Sequence, residues 1–311
     1  MINFRYHIVS LMAVFLALAV GIAVGVTLSP SVQRGIATQA KQDREQVIQL
    51  RTELDRRTNL DTYRDTYDQR TATLVLAGQL SGVRVAVVAM PDAPGSVVTS
   101  VAQAVEQAGG RVVTQVKVNA RVFDATQAQT VTQAVSELGE AGLTDAMSPA
   151  TKVGWSLARA VANKQVTTRD DYSRTVGRTL ADAGLADVSE SVDDFAQVVV
   201  VVTSTTSPQP VETALTTAHV ELETALKEQG GSAAERVGVV VAGPNSLGLD
   251  GTDVGAIRTT SPGSSELSTV DVADLPSGVV TAVLAGKEQM MGEQGHYGAL
   301  ARADDALPQV R

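Results

Sequence analysis

Residues 82–118 read GVRVAVVAMPDAPGSVVTSVAQAVEQAGGRVVTQVKV, and this stretch decides the fold. After Gly82 comes a short, Val-rich apolar run, 83–90, of the length and β-branched content expected of a strand. Pro91-Asp92-Ala93-Pro94-Gly95 breaks it. An amphipathic pattern over 96–108 predicts a helix, Gly109-Gly110 ends it, and 111–118 is apolar and β-branched again. Strand, helix and strand so closely spaced make a βαβ unit, which implies parallel pairing.

The same alternation continues toward the C-terminus. Helical patterns cover 124–141, 149–163, 169–183 and 211–229. Residues 195–203 (FAQVVVVVT) form a continuous apolar run, as expected of a strand buried on both faces. Further strands are expected at 236–242 and 278–285. The predicted head, 82–300, is therefore an open, mostly parallel, Rossmann-like α/β sheet with helices on both faces, followed by a flexible tail at 301–311. Ligands in such sheets bind beyond the carboxyl ends of the strands. Those ends carry Pro91-Asp92, residues 203–210, Gly243-Pro244-Asn245 and the stretch from Gly286 onward.

Upstream, a seven-residue tail precedes residues 8–28, IVSLMAVFLALAVGIAVGVTL, which hold no charge. A bilayer core needs about 20 helical residues, so this is a transmembrane helix by length. A cleaved leader is the rival reading, with Ala23-Val24-Gly25 as its cleavage site, but leaders have shorter apolar regions. Arg5 is the only base before the span, whereas Arg34, Lys41 and Arg44 follow it. Charge counting alone would put the soluble part inside. The short basic tail resembles an uncleaved signal anchor, and on that ground the soluble part is expected outside the cytoplasm, on a single-pass protein of the cell membrane. Ala13, Ala17, Gly21 and Gly25 recur every fourth residue, a small-residue face suited to packing against another helix.

Residues 32–78 alternate charges densely and lack Pro. Ile36, Ala40, Val47, Leu50 and Leu54 fit heptad spacing, and a three-residue slip resumes it at Leu60, Tyr63 and Tyr67. Asp43 and Arg57 interrupt the seam. This predicts a coiled-coil stalk that pairs weakly with its own copy or accepts a partner's helix. A lone amphipathic helix folded back on the head is the alternative.

The chain lacks cysteine, which removes disulfides, thiolate metal sites and a Cys nucleophile. Its net charge is −9, and the acidity lies after the span, so nucleic acid is not an expected partner. No G-x-G-x-x-G follows the first strand and no G-x-x-x-x-G-K-[ST] occurs, which argues against nucleotide sites. The Gly-rich stretch 245–251 reads as a turn. Of the three histidines, His7 adjoins the span, His219 lies in an amphipathic helix near Glu221 and Glu223 and reads as solvated, and His296 follows Met290-Met291. Met290, Met291 and His296 are the one grouping of soft ligands that would suit copper. With no H-E-x-x-H and no G-x-S-x-G, no enzyme is expected.

Three segments carry a resemblance: FRYHIVSLMAVFLALAVGIAVG at 4–25, VVAMPDA at 87–93, and STVDVADLPSGVVTAVLAGKEQMMGEQGHYG at 268–298. They resemble the actinobacterial copper-transporter family typified by mycobacterial copper transport protein B, in order and over essentially the whole length. The resemblance implies a cell-envelope protein of copper homeostasis or efflux, brings copper in as the only implied metal, and marks His7 and His296 as sites to carry over. Read from the residues, the chain is a non-enzymatic, membrane-anchored envelope protein. Its stalk and head would bind and regulate a partner protein, in cell-wall remodelling or cell division. Copper homeostasis is the alternative, and a head that binds a small molecule is a third reading.

Overall fold

The computed structural model describes the backbone of residues 4–139, 142–190, 192–204, 213–228, 236–244, 248–260 and 263–309. Side chains are described throughout these except at 4–5, 26–38, 40 and 190, so Ile36 and Ala40 lie outside the described side chains. Parts of the predicted loops at 203–210 and 245–251 lie outside the described residues as well. Two compact units emerge, Met1–Arg64 and Asp65–Arg311.

Helix α1 (Phe4–Leu76) takes in both the predicted span and the predicted stalk. Within it, Tyr6–Gly25 is long and apolar enough to cross a bilayer, and its side chains are exposed. Ala13, Ala17, Gly21 and Gly25 share a face at i, i+4 spacing, and a Cβ on Gly21 or Gly25 would meet nothing. Val47, Leu50, Leu54, Leu60, Tyr63 and Tyr67 are all exposed, from 41% at Leu60 to 66% at Tyr63. The last residue of α1, Leu76, is fully buried in the core of the second unit.

The second unit is built on β1 (Arg84–Ala89), α2 (Gly95–Gln107) and β2 (Arg111–Val118), the βαβ unit expected from residues 82–118. Two single 3-10 turns lead into α3 (Ala128–Ser136), then α4 (Pro149–Val161) and α5 (Asp171–Asp182). There follow β3 (Ala186–Glu190), β4 (Val198–Val202), α6 (Thr213–Glu228) and β5 (Gly238–Ala242). The chain closes with α7 (Asp253–Ile257), α8 (Gly263–Glu266), β6 (Ser268–Val270), α9 (Pro276–Met291) and β7 (His296–Tyr297).

The seven strands are ordered β3-β2-β1-β4-β5-β6-β7. All pairs are parallel except β2–β3, so the sheet is mixed. Alternation along each strand sends Ala86, Val88, Val199, Val201, Val239 and Val241 into one core, with α4, α5 and α6. Val85, Val87, Val198, Val200, Val202 and Val240 enter the other, with α2 and α9. Helices therefore cover both faces, and valine supplies the filling that scarce aromatics do not. Both edges are blunt: β3 is short and carries exposed Asp187, and β7 has two residues followed by a bridge from Tyr297 to Asp305.

Two expectations need correction. Residues 278–285 are not a strand but the middle of α9, which buries residues all round its circumference and so mimics a buried strand in sequence. Pro276 in its first turn and left-handed Gly292 at its C-cap are the helix signals that outweigh the apolar run. Gly286 therefore belongs to a helix and not to a strand end. The segment expected as a free tail is tied back, since Asp304 accepts from the backbone N–H of His296 at 2.8 Å.

Candidate functional site

The strand order reverses between β1 and β4, and a crevice opens where neighbouring crossovers depart to opposite faces. A cleft of about 310 Å³ lies there. Pro91 and Asp92 line it after β1, Thr203 and Ser204 after β4, and Phe123 and Asp124 beyond β2. Thr216 and His219 come from α6, and Thr252 and Asp253 from the start of α7.

Helix α6 reaches this place because Gly154 of α4 lets it approach. A Cβ on Gly154 would stand 2.4 Å from the Leu222 carbonyl oxygen. On the inward face of α6, Thr216, His219, Leu222, Glu223 and Leu226 recur at helical spacing and are all buried. The solvated histidine expected from sequence is thus a buried one. Its Nδ1 sits 3.0 and 3.2 Å from the two oxygens of Asp253, and Phe123 packs edge-on against its ring at 4.3 Å. Asp253 is placed by the Thr252 cap, whose hydroxyl accepts from the Gly255 N–H at 3.2 Å. With Nδ1 facing a carboxylate, the neutral ring carries its N–H there and leaves Nε2 as an acceptor.

One turn further along α6, Glu223 is wholly buried and neither carboxyl oxygen has a hydrogen-bond partner among the described residues. Burial, reinforced by the charge of Asp253, holds its pKa well above the usual carboxylate range. The folded protein keeps this proton while the unfolded chain releases it above about pH 4.5, so stability falls as pH rises from there toward the raised value. Glu223→Gln removes the titration. In a domain of this size, 1 kcal/mol corresponds to roughly 2–4 °C of melting temperature. Thermal melts of the variant should therefore gain on the parent between pH 5 and pH 8. A gap independent of pH would refute the assignment.

The mouth of the cleft holds a second anomaly. Asp92 adopts φ 61°, the left-handed region that L-residues other than Asn and Asp seldom enter. Its carboxylate makes no hydrogen bond or ion pair among the described residues.

The soft-ligand grouping fares differently. His296 is buried on β7, where its Nδ1 accepts from the Thr269 hydroxyl at 3.0 Å and its Nε2–H donates to the Ser264 carbonyl at 3.2 Å. Burial and the nearby Arg258 lower its pKa, so the ring is neutral with neither nitrogen idle. Met290, in the last turn of α9, is partly buried against the core, whereas Met291 is exposed. Among the described residues, no three His, Asp or Glu side chains converge as a metal set.

Fold and site together define a class: an α/β head with a carboxylate-lined cleft at its strand ends, in a chain that carries one N-terminal apolar helix. Residues 1–308 match the family model described as copper transport outer membrane protein, MctB. The chain belongs to this family. It is 28% identical to the copper transporter MctB of Mycobacterium bovis and, equally, to that of Mycobacterium tuberculosis, over 96% of each chain.

Sequence reasoning reached Pro91, Asp92 and residues 203–204 of the cleft through the strand-end rule. It missed His219, Glu223 and Asp253. The signal that could have found them is the i, i+4 placement of His219 and Glu223 on the apolar stripe of α6.

Proposed function

We propose that the chain is a single-pass, membrane-anchored component of copper homeostasis in the cell envelope, with its soluble part outside the cytoplasm. It would work as a non-enzymatic binding protein and not as a conduit. The observation that carries the copper reading is the family match across residues 1–308. The comparisons lend nothing to a role in cell-wall remodelling or division.

Two physical points support binding over conduction. One helix offers no path through hydrocarbon, because a lone span has no polar interior. The head's strands are buried on both faces by helices, unlike the alternating lipid-facing strands of an outer-membrane barrel. The strand order, reversing between β1 and β4, supports the Rossmann-like reading of the head. Exposed Val47, Leu50, Leu54, Leu60, Tyr63 and Tyr67 support a stalk that pairs with a second copy or a partner helix. The face at Ala13, Ala17, Gly21 and Gly25 supports the same pairing within the membrane.

Deleting the gene in its own cell tests the copper reading. Cell-associated copper should rise and copper tolerance fall, both restored by the full chain. Unchanged copper content and tolerance would overturn it.

A further inference from the structure

We propose that the cleft at the carboxyl ends of β1 and β4 binds a small organic cation, a primary ammonium or guanidinium compound with a short apolar body. The lining sets the chemistry. Asp92, Asp124 and Asp253 contribute carboxylates, and no Lys or Arg is among the described lining residues. Arg121, the base closest in sequence to Phe123, donates to the Ala183 carbonyl instead. Such a wall repels phosphates and carboxylates and attracts positive charge.

Individual acceptors remain available. Asp124 uses Oδ1 for the amide and hydroxyl of Thr126, which lowers its pKa and keeps it ionised, while its other oxygen is uncommitted among the described residues. Asp92 is uncommitted altogether. His219 is nine-tenths buried, its Nδ1 held by Asp253, and its Nε2 has no partner among the described residues. That nitrogen keeps some exposure, so it can accept an N–H from a ligand seated in the cleft.

A metal ion is the weaker occupant, since no three His, Asp or Glu side chains converge among the described residues. An organic body has surfaces to meet: Pro91, Ala120, Phe123 and Leu215 form apolar wall. The volume, about 310 Å³, lies at the small end of ligand pockets and limits the occupant to a modest size. This inference stands apart from the copper reading, and either can fail alone.

The experiment uses the full chain in detergent and three probes that share one body: 2-phenylethylamine, 2-phenylethanol and 3-phenylpropionate. Titration calorimetry gives affinities, and the histidine ring resonances report location. The amine should bind at least roughly tenfold tighter than the alcohol, the worth of one charge-assisted hydrogen bond, with the acid showing no binding. Asp92→Asn, which alters an exposed side chain, and Asp124→Asn should each weaken the amine several-fold, and His219→Gln should abolish the shift. Equal binding of acid and amine, affinity unchanged in the Asp92→Asn/Asp124→Asn double variant, or no binding of any probe at millimolar concentration would each overturn the proposal. So would Cu(II) displacing the amine with retention of the His219 contact, because the site would then be a metal site.

Discussion

Replacing Arg258 by alanine should cost about 3–5 kcal/mol, the usual consequence of breaking a buried ion pair by removing one partner. The guanidinium is completely shielded from solvent. Its Nε–H donates to the Thr269 hydroxyl at 2.9 Å, one Nη to Asp271 at 2.7 Å and to the Ala301 carbonyl at 3.2 Å, and the other to the Tyr297 carbonyl at 2.9 Å. One side chain thus joins the end of α7 to β6, β7 and the C-terminal segment. Alanine would strand the Asp271 carboxylate, left with only the amides of Ala299 and Leu300 at 2.8 and 3.1 Å. Lysine should rescue little, because a point charge cannot serve all four acceptors of a planar fork. Urea unfolding of the parent and variant checks this, and a loss below about 1 kcal/mol would show that the pair behaves like a surface one. Arg258→Met with Asp271→Leu should recover much of the loss, since no charge is then left buried.

The second large effect comes from the smallest change. Gly278→Ala should destabilise by about 3 kcal/mol or more, at or beyond the upper end for overpacking. Alanine at a helical glycine ordinarily gains up to about 1 kcal/mol. Here a Cβ would stand 1.7 Å from the Val272 carbonyl oxygen and 2.3 Å from its carbon, so backbone must move. That shift would pull the first turn of α9 away from the end of β6. Gly95→Ala is the matched control, at the start of α2 with nothing within 4 Å of the added carbon. The two variants should move the urea midpoint in opposite directions or, at the least, by very different amounts. Equal midpoints would mean that the contact at Gly278 relaxes freely.

The elements legible in sequence were those whose local signals agreed. Strands β1, β2, β4 and β5 are short, valine-rich and bounded by breakers, and each lies within two or three residues of its expected place. Helix α4 announced itself through Ser148, whose hydroxyl accepts from the Thr151 amide, and Pro149 in the first turn. What stayed hidden has physical reasons. β3 carries Asp187 and Ser189 on its exposed face and its pairing is antiparallel, so it lacks the apolar run of a central strand. β6 is the three residues Ser268–Val270, too short for any periodicity. The site was half legible: the strand-end rule finds its floor, but the His219–Asp253 pair joins residues 34 apart through a fold-level approach of α6 to α7.

The blunt edges of the sheet bear on how such a head is kept. A chain fastened by an apolar helix lives in two dimensions, where tethering raises the local concentration of every neighbouring copy far above that of a free protein. Open strand edges at that density would invite one copy to template the next. β3, short, antiparallel and bearing Asp187, repels a like edge. At the other end, β7 offers two residues before the Tyr297–Asp305 bridge closes over them. Crowding at the membrane would then meet two edges that give growth of a continuous sheet no place to start.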